Sequence, residues 1–198
     1  MSSDQVIAFL IFSLVAAITP GPSNVMITAT GSAVGVVRGL PCALGAAIGM
    51  GALLFGAALG LGQMIIGEPQ VLRAINLAGS AFLLWMAWRI ATAGRASETK
   101  AAKPVGFLQA AAFQWVNPKG WLVAIGAAGT YLQAGAENPV LQAIALAALF
   151  FAAAFPSGLV WLTLGAMVQR LLRDEVAARI FNVAMGLALA ASVVLMLR

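Results

Sequence analysis

Two short stretches of this 198-residue chain hold the residue types that could do chemistry: "TPGPSN" at 19–24 and "NPK" at 117–119. Each sets proline beside polar groups inside an otherwise apolar segment. A proline within a helix removes one backbone donor and crowds the turn before it. At Pro20-Gly21-Pro22, the neighbours Thr19, Ser23 and Asn24 bring hydrogen-bonding groups to the carbonyls so released. Ser23 or Asn24 can cap the half-helix that follows, whose positive dipole end suits an anion. The half-helix before the break ends in carbonyls, which suit an ammonium group. A zwitterion matches both ends. The competing reading is a kink healed by neighbouring helices, which a lone proline would favour more than Pro-Gly-Pro with three polar neighbours.

The second break, Asn117-Pro118 in "FQWVNPKGWL", carries the chain's most unusual charge. Lys119 lies about 14 residues into its apolar segment, roughly 21 Å at 1.5 Å per residue. That is beyond the centre of a hydrocarbon core about 30 Å thick. A lysine there can snorkel to the interface. Against snorkelling, Asn117 and the released carbonyls offer partners within the fold, and ionisable residues in spans mark transport pathways. Lys119 is therefore a candidate partner for a substrate carboxylate and the candidate proton-coupling group.

Composition says which elements must position these residues. The chain is 62% hydrophobic and 9% charged, with a mean hydropathy of +0.99. An ordinary soluble domain carries about 25% charged residues. Residues 5–37, 39–67, 74–88, 140–169 and 180–197 carry no charge, and 105–133 carries only Lys119. With roughly 20 apolar residues enough to cross a bilayer, these are six spans. Residues 5–19 could instead be a cleavable signal, but Asp4 precedes them without any Lys or Arg and the apolar run continues past the prolines. They read as a retained helix.

The pI near 10.4 reports topology rather than nucleic-acid binding. Arg38, Arg89, Arg95, Lys100, Lys103, Arg170, Arg173 and Arg179 fall on one side of six alternating spans, while Arg73 and Arg198 fall on the other. Positive loops stay cytoplasmic, so both termini should be periplasmic. The only substantial polar linker, 92–104, lies near the midpoint, with three spans on each side. Pro20 and Pro118 are 98 residues apart, almost half the chain. Broken helices at matching positions of inverted repeats point to a transport site at the repeat interface. The expected fold is an all-α integral membrane protein. Its single transporter domain, 1–198, holds two inverted three-helix repeats, approximately 1–93 and 105–198, joined by a cytoplasmic linker at 94–104. The first and fourth helices are broken at their proline motifs.

Other features read as architecture. Gly31, Gly35, Gly39, Gly45 and Gly49 allow close helix approach, and such faces would also permit a homodimer. Pro156-Ser157-Gly158 is either a third hinge or a kink. The five tryptophans form interface belts or line a cavity. Cys42, the only cysteine, lies in an apolar run and reads as a packing residue.

The two proline motifs resemble the first-helix and fourth-helix signatures of the lysine exporter (LysE/RhtB) family, and "GVVRGLPCALGAAIG" at 35–49 resembles its second-helix entry. "NLAGSAFLLWMAWRIA" at 76–91 and "VWLTLGAMVQRLLR" at 160–173 are similar to the cysteine and O-acetylserine exporter branch. The resemblance covers almost the whole chain. It implies an inner-membrane secondary transporter that exports small amino acids, exchanged for protons, with Thr19 to Asn24 and Asn117 to Lys119 as site residues.

Absences prune the rivals. There are no histidines, and Asp4, Glu68, Glu98, Glu137, Asp174 and Glu175 all sit at ends or in loops. Serine–histidine and paired-aspartate proteolysis therefore lack their groups, and a metal exporter lacks ligands. The expectation is a non-enzyme with no cofactor or metal. Without a span carboxylate to pair a cationic side chain, a neutral zwitterion fits better than lysine or arginine, because burying an unpaired charge is expensive. The alternative is a non-transporting membrane scaffold or lipid-handling protein, which would need no polar breaks.

Overall fold

The computed structural model describes residues 1–62, 68–92, 104–133, 137–171 and 175–196. These are helical, with no strand among them. Residues 93–103 of the polar linker, with Arg95, Lys100 and Lys103, lie outside the described residues, as do Arg173 and Arg198.

Helix α1 spans Ser3–Ile18 and starts at a capping box. Ser2 Oγ accepts from the Gln5 amide at 3.3 Å, and Gln5 Oε1 accepts from the Ser2 amide at 3.0 Å. It stops because Thr19 precedes a proline, whose ring pushes the residue before it out of the helical region; Thr19 is extended at φ −61° and ψ 129°. Helix α2, Pro22–Gly56, resumes after Gly21 with proline in its first turn, where the missing donor costs nothing.

Although helical for 35 residues, α2 is two helices meeting at Gly35 (φ 79°, ψ 178°). Thr30 Oγ1 lies 3.6 Å from Cys42 Sγ. In a straight helix those residues would sit about 18 Å apart along the axis, so the chain folds back at Gly35. This corrects the reading of Gly35 as one rung of a packing ladder. Nothing would lie within 4 Å of a Cβ there, whereas Gly31 and Gly39 face Leu162 and Gly45 and Gly49 face Phe107 and Ala111. A π-helical segment, Ala57–Leu61, follows and ends beside Gly60 at φ 105°.

The remaining helices are α3 (Pro69–Ala91), α4 (Phe107–Val116), α5 (Pro118–Tyr131), α6 (Pro139–Leu171) and α7 (Glu175–Met196). Residues 22–61 and 139–168 are long and apolar enough to cross a membrane, while α1 and residues 179–191 are apolar but shorter. Pro156 does not interrupt α6, which stays helical throughout, with Ser157 Oγ donating to the Ala153 carbonyl at 3.0 Å.

Helix α2 is central, packing mainly on α6 and α4, while α3 pairs with α7. Glycines set these approaches: Gly31 and Gly165 bring α2 and α6 backbone to backbone, and Gly45 and Gly49 seat α4. Helices α1 and α5 run antiparallel. Lys119 at the start of α5 meets Thr19 at the end of α1, and Tyr131 at the end of α5 meets Ala8 near the start of α1. Tyr131 also packs edge-on against Phe9, with centroids 4.9 Å apart. The two breaks therefore lie side by side.

Candidate functional site

At the first break, the carbonyls of residues 17 to 20 have lost their helical partners, and each is met by a side-chain N–H. Asn24 Nδ2 donates to the Ala17 carbonyl at 3.0 Å and to the Thr19 carbonyl at 2.8 Å. Trp161 Nε1 donates to the Ile18 carbonyl at 3.3 Å. Lys119 Nζ lies 2.7 Å from the Thr19 carbonyl and 3.5 Å from that of Pro20. The Thr19 hydroxyl turns back onto the Val15 carbonyl at 2.6 Å. Backbone polar groups in hydrocarbon have no water to satisfy them, so these donors are what a broken helix within a span would require.

The second break is built likewise. Asn117 is extended before Pro118, and its Oδ1 caps α5 by accepting from the Lys119 amide at 3.2 Å. Trp121 Nε1 donates to the Trp115 carbonyl at 2.8 Å. Trp121 and Trp161 each close one break, a role that belts and cavity walls do not include, while Trp85, Trp88 and Trp115 are exposed, which is compatible with a belt.

Between the breaks lies a polar cluster. Asn117 Nδ2 donates to Ser23 Oγ at 3.0 Å and approaches Gln114 Oε1 at 3.4 Å. Ser23 Oγ donates to Gln114 Oε1 at 3.0 Å, and Gln114 Nε2 donates to the Ala110 carbonyl at 3.1 Å. Gln114 and Asn117 are buried, as is Asn24. Gln114 is the residue that the sequence reading missed. Its signal was present: a polar amide one helical turn before Asn117 in an apolar run.

The cluster opens into a cavity of about 70 Å³, lined by Gly21, Ser23, Asn24, Gln114, Asn117 and Lys119 with an apolar wall that includes Ile27, Met50 and Phe150. A single water needs about 10–15 Å³ on this measure, so the cavity holds several. Among the described residues no carboxylate lines it. Of the sequence candidates, Gly21, Ser23, Asn24, Asn117 and Lys119 line the cavity. Thr19 and Pro20 do not line it but offer their carbonyls to Lys119, and Pro22 and Pro118 open the two following helices. One expectation is corrected: neither Ser23 nor Asn24 caps α2. Gly21 does, without a side chain, so the first amides of α2 carry no side-chain acceptor.

Among the described residues no group of His, Cys, Asp or Glu could hold a metal ion. Cys42 is fully buried beneath Thr30, in keeping with packing.

The LysE type translocator model matches residues 14–197. A cysteine/O-acetylserine efflux protein of Salmonella typhimurium (strain LT2) is 31% identical over 144 residues, which is 72% of this chain and 74% of the relative. One from Klebsiella pneumoniae is 29% identical, covering 86% of this chain and 87% of its own. One from Escherichia coli (strain K12) is 27% identical, covering 92% of each. No solved structure matches the chain.

Proposed function

The chain belongs to the LysE type translocator family, and from that premise we propose what it exports and how. Membership makes it a membrane transport protein of the efflux class, not an enzyme. The proposed substrates are small neutral amino acids or related metabolites, cysteine- and O-acetylserine-like or threonine- and homoserine-like, moved out of the cytoplasm across the bacterial inner membrane in exchange for protons. The proposed architecture is six spans in two inverted repeats with periplasmic termini. The antiparallel run of α1 against α5 supports it.

The observation that carries this reading is the meeting of two broken helices at one small cavity that no carboxylate lines among the described residues. The uncapped start of α2 offers amides and a positive dipole end to a substrate carboxylate, and Lys119 adds a formal charge. Ser23, Gln114 and Asn117 supply neutral hydrogen-bonding groups for a small side chain. A cationic side chain would find no counter-charge, and leaving it unpaired is costly.

Proteoliposomes under an imposed pH gradient test this. Saturable movement of labelled cysteine or O-acetylserine, lost on dissipating the gradient, is expected. Preferential movement of lysine would overturn the neutral substrate, and no movement of any amino acid above empty vesicles would overturn transport. Lys119→Arg keeps the charge but does not release a proton. It is expected to abolish pH-driven movement, as is Lys119→Met. Movement retained by Lys119→Arg and lost by Lys119→Met would confine Lys119 to substrate binding.

A further inference from the structure

A continuous α1 and α2 would pair the carbonyls of Thr19 and Pro20 with the amides of Ser23 and Asn24. The break at 19–21 cancels both bonds. Thr19 and Pro20 are exposed, next to Gly21, which lines the cavity. Their carbonyls point at one primary ammonium, Lys119 Nζ, at 2.7 and 3.5 Å. That ammonium does not belong to the same element: it arrives from α5, 100 residues along the chain, on a flexible four-carbon stem. Asn24, by contrast, reaches the Thr19 carbonyl from five residues away and stays with the break whatever α5 does.

The site is shaped around the lysine. A Cβ on Gly21 would lie 2.9 Å from Lys119 Cδ and 3.1 Å from Nζ, so glycine is what lets the stem cross the break. Lys119 also lines the cavity, and its stem takes space that a ligand would need. Among the described residues no carboxylate pairs with it. Two carbonyls hold an ammonium by ion–dipole attraction, more weakly than a carboxylate would, and they hold any primary ammonium in the same way. Replacing one ammonium by another on these oxygens therefore conserves the hydrogen bonds and the charge. What favours the lysine is its tether, which sets an effective concentration on the order of millimolar for a short flexible link.

We infer that the Thr19 and Pro20 carbonyls are a primary-ammonium subsite, occupied by Lys119 in the empty protein and vacated for the ammonium of the exported molecule. That the incoming ammonium belongs to an amino acid rests on the function proposed above; the subsite itself does not. Lys119 is then a tethered stand-in for the ligand. Withdrawing it enlarges the cavity and frees its charge for the ligand's carboxylate in the same movement.

The test is binding without transport. Purified parent and Lys119→Ala proteins are melted in detergent against increasing n-butylammonium chloride, with tetramethylammonium chloride, which has no N–H donor, as the matched salt. Lys119→Ala should gain melting temperature saturably with butylammonium alone, at a half-saturating concentration at least tenfold below any response of the parent. Equal responses in the two proteins, or none in Lys119→Ala, would overturn the subsite. Should Lys119→Ala not be recovered folded, Lys119→Met with methylammonium gives the same two readings, since methionine keeps the stem and vacates the carbonyls. Failure of the efflux assay leaves this result untouched, and failure here leaves efflux untouched.

Discussion

Asn24 and Asn117 each flank a broken helix, and in the sequence they look interchangeable. Their amides are spent differently. Asn24 Nδ2 satisfies two carbonyls of its own break. Asn117 caps α5 with its oxygen and reaches across to Ser23 with its nitrogen. Removing the buried Asn24 donor leaves the Ala17 carbonyl without its partner, at about 1–3 kcal/mol, while the Thr19 carbonyl keeps Lys119. Asn24→Ala is therefore expected to melt several degrees lower than the parent and to accumulate less in the membrane. Asn117→Ala loses a helix cap worth about 0.5–2 kcal/mol and unties the polar cluster from the first break. It is expected to accumulate nearer to normal and to export with a raised half-saturating concentration. Melting curves and concentration-dependent efflux on the same preparations check both. Equal melting temperatures for the two variants would show that the asparagines are equivalent after all.

At the scale of elements, glycines divide into those that turn the chain and those that seat a neighbour. Gly35 stands at φ 79° and ψ 178° with open space around it. A side chain there meets no atom, yet the backbone conformation is one that other residues reach at a cost of about 1–3 kcal/mol. Gly35→Ala should destabilise by about that amount, whereas Gly126→Ala, in a helix with equal space, should stabilise by about 0.5–1 kcal/mol. Thermal melts of the two variants should move in opposite directions. This division explains what the sequence could reveal. The breaks at Pro20 and Pro118 were legible because proline's effect is local: it depends on a ring and a missing hydrogen, not on neighbours. The turn at Gly35 was not, because four-residue glycine spacing looks the same whether a glycine packs or bends. Gln114 signals its polarity one turn before Asn117, but its partner Ser23 in the other half was not legible, nor was the Ile18 carbonyl that Trp161 closes. Those pairings depend on how α4 sits on Gly45 and Gly49 and how α6 sits on Gly31, and no local pattern encodes those approaches.

For the whole molecule, the proposed orientation rests on charge and on the direction of α1 and α5. A helix that ends at the first break and runs antiparallel to one that starts at the second is what two inverted halves of three spans would produce, since an odd number of crossings reverses the second half. The basic residues then fall mostly on one side, and positive loops stay cytoplasmic. This places Ser2 outside and Ser97, in the polar linker, inside. Cys42 is fully buried, so the native thiol should give an impermeant reagent little to react with. Cysteines introduced at Ser2 and Ser97 can therefore be read against a low background in intact cells. Ser2→Cys is expected to label from outside, and Ser97→Cys only after the membrane is opened. The reverse pattern would invert the protein in the membrane while keeping its halves. Labelling of both from outside would contradict an odd number of crossings between them, and with it the inverted halves. The proximity of the two breaks would then need another explanation than repeat symmetry.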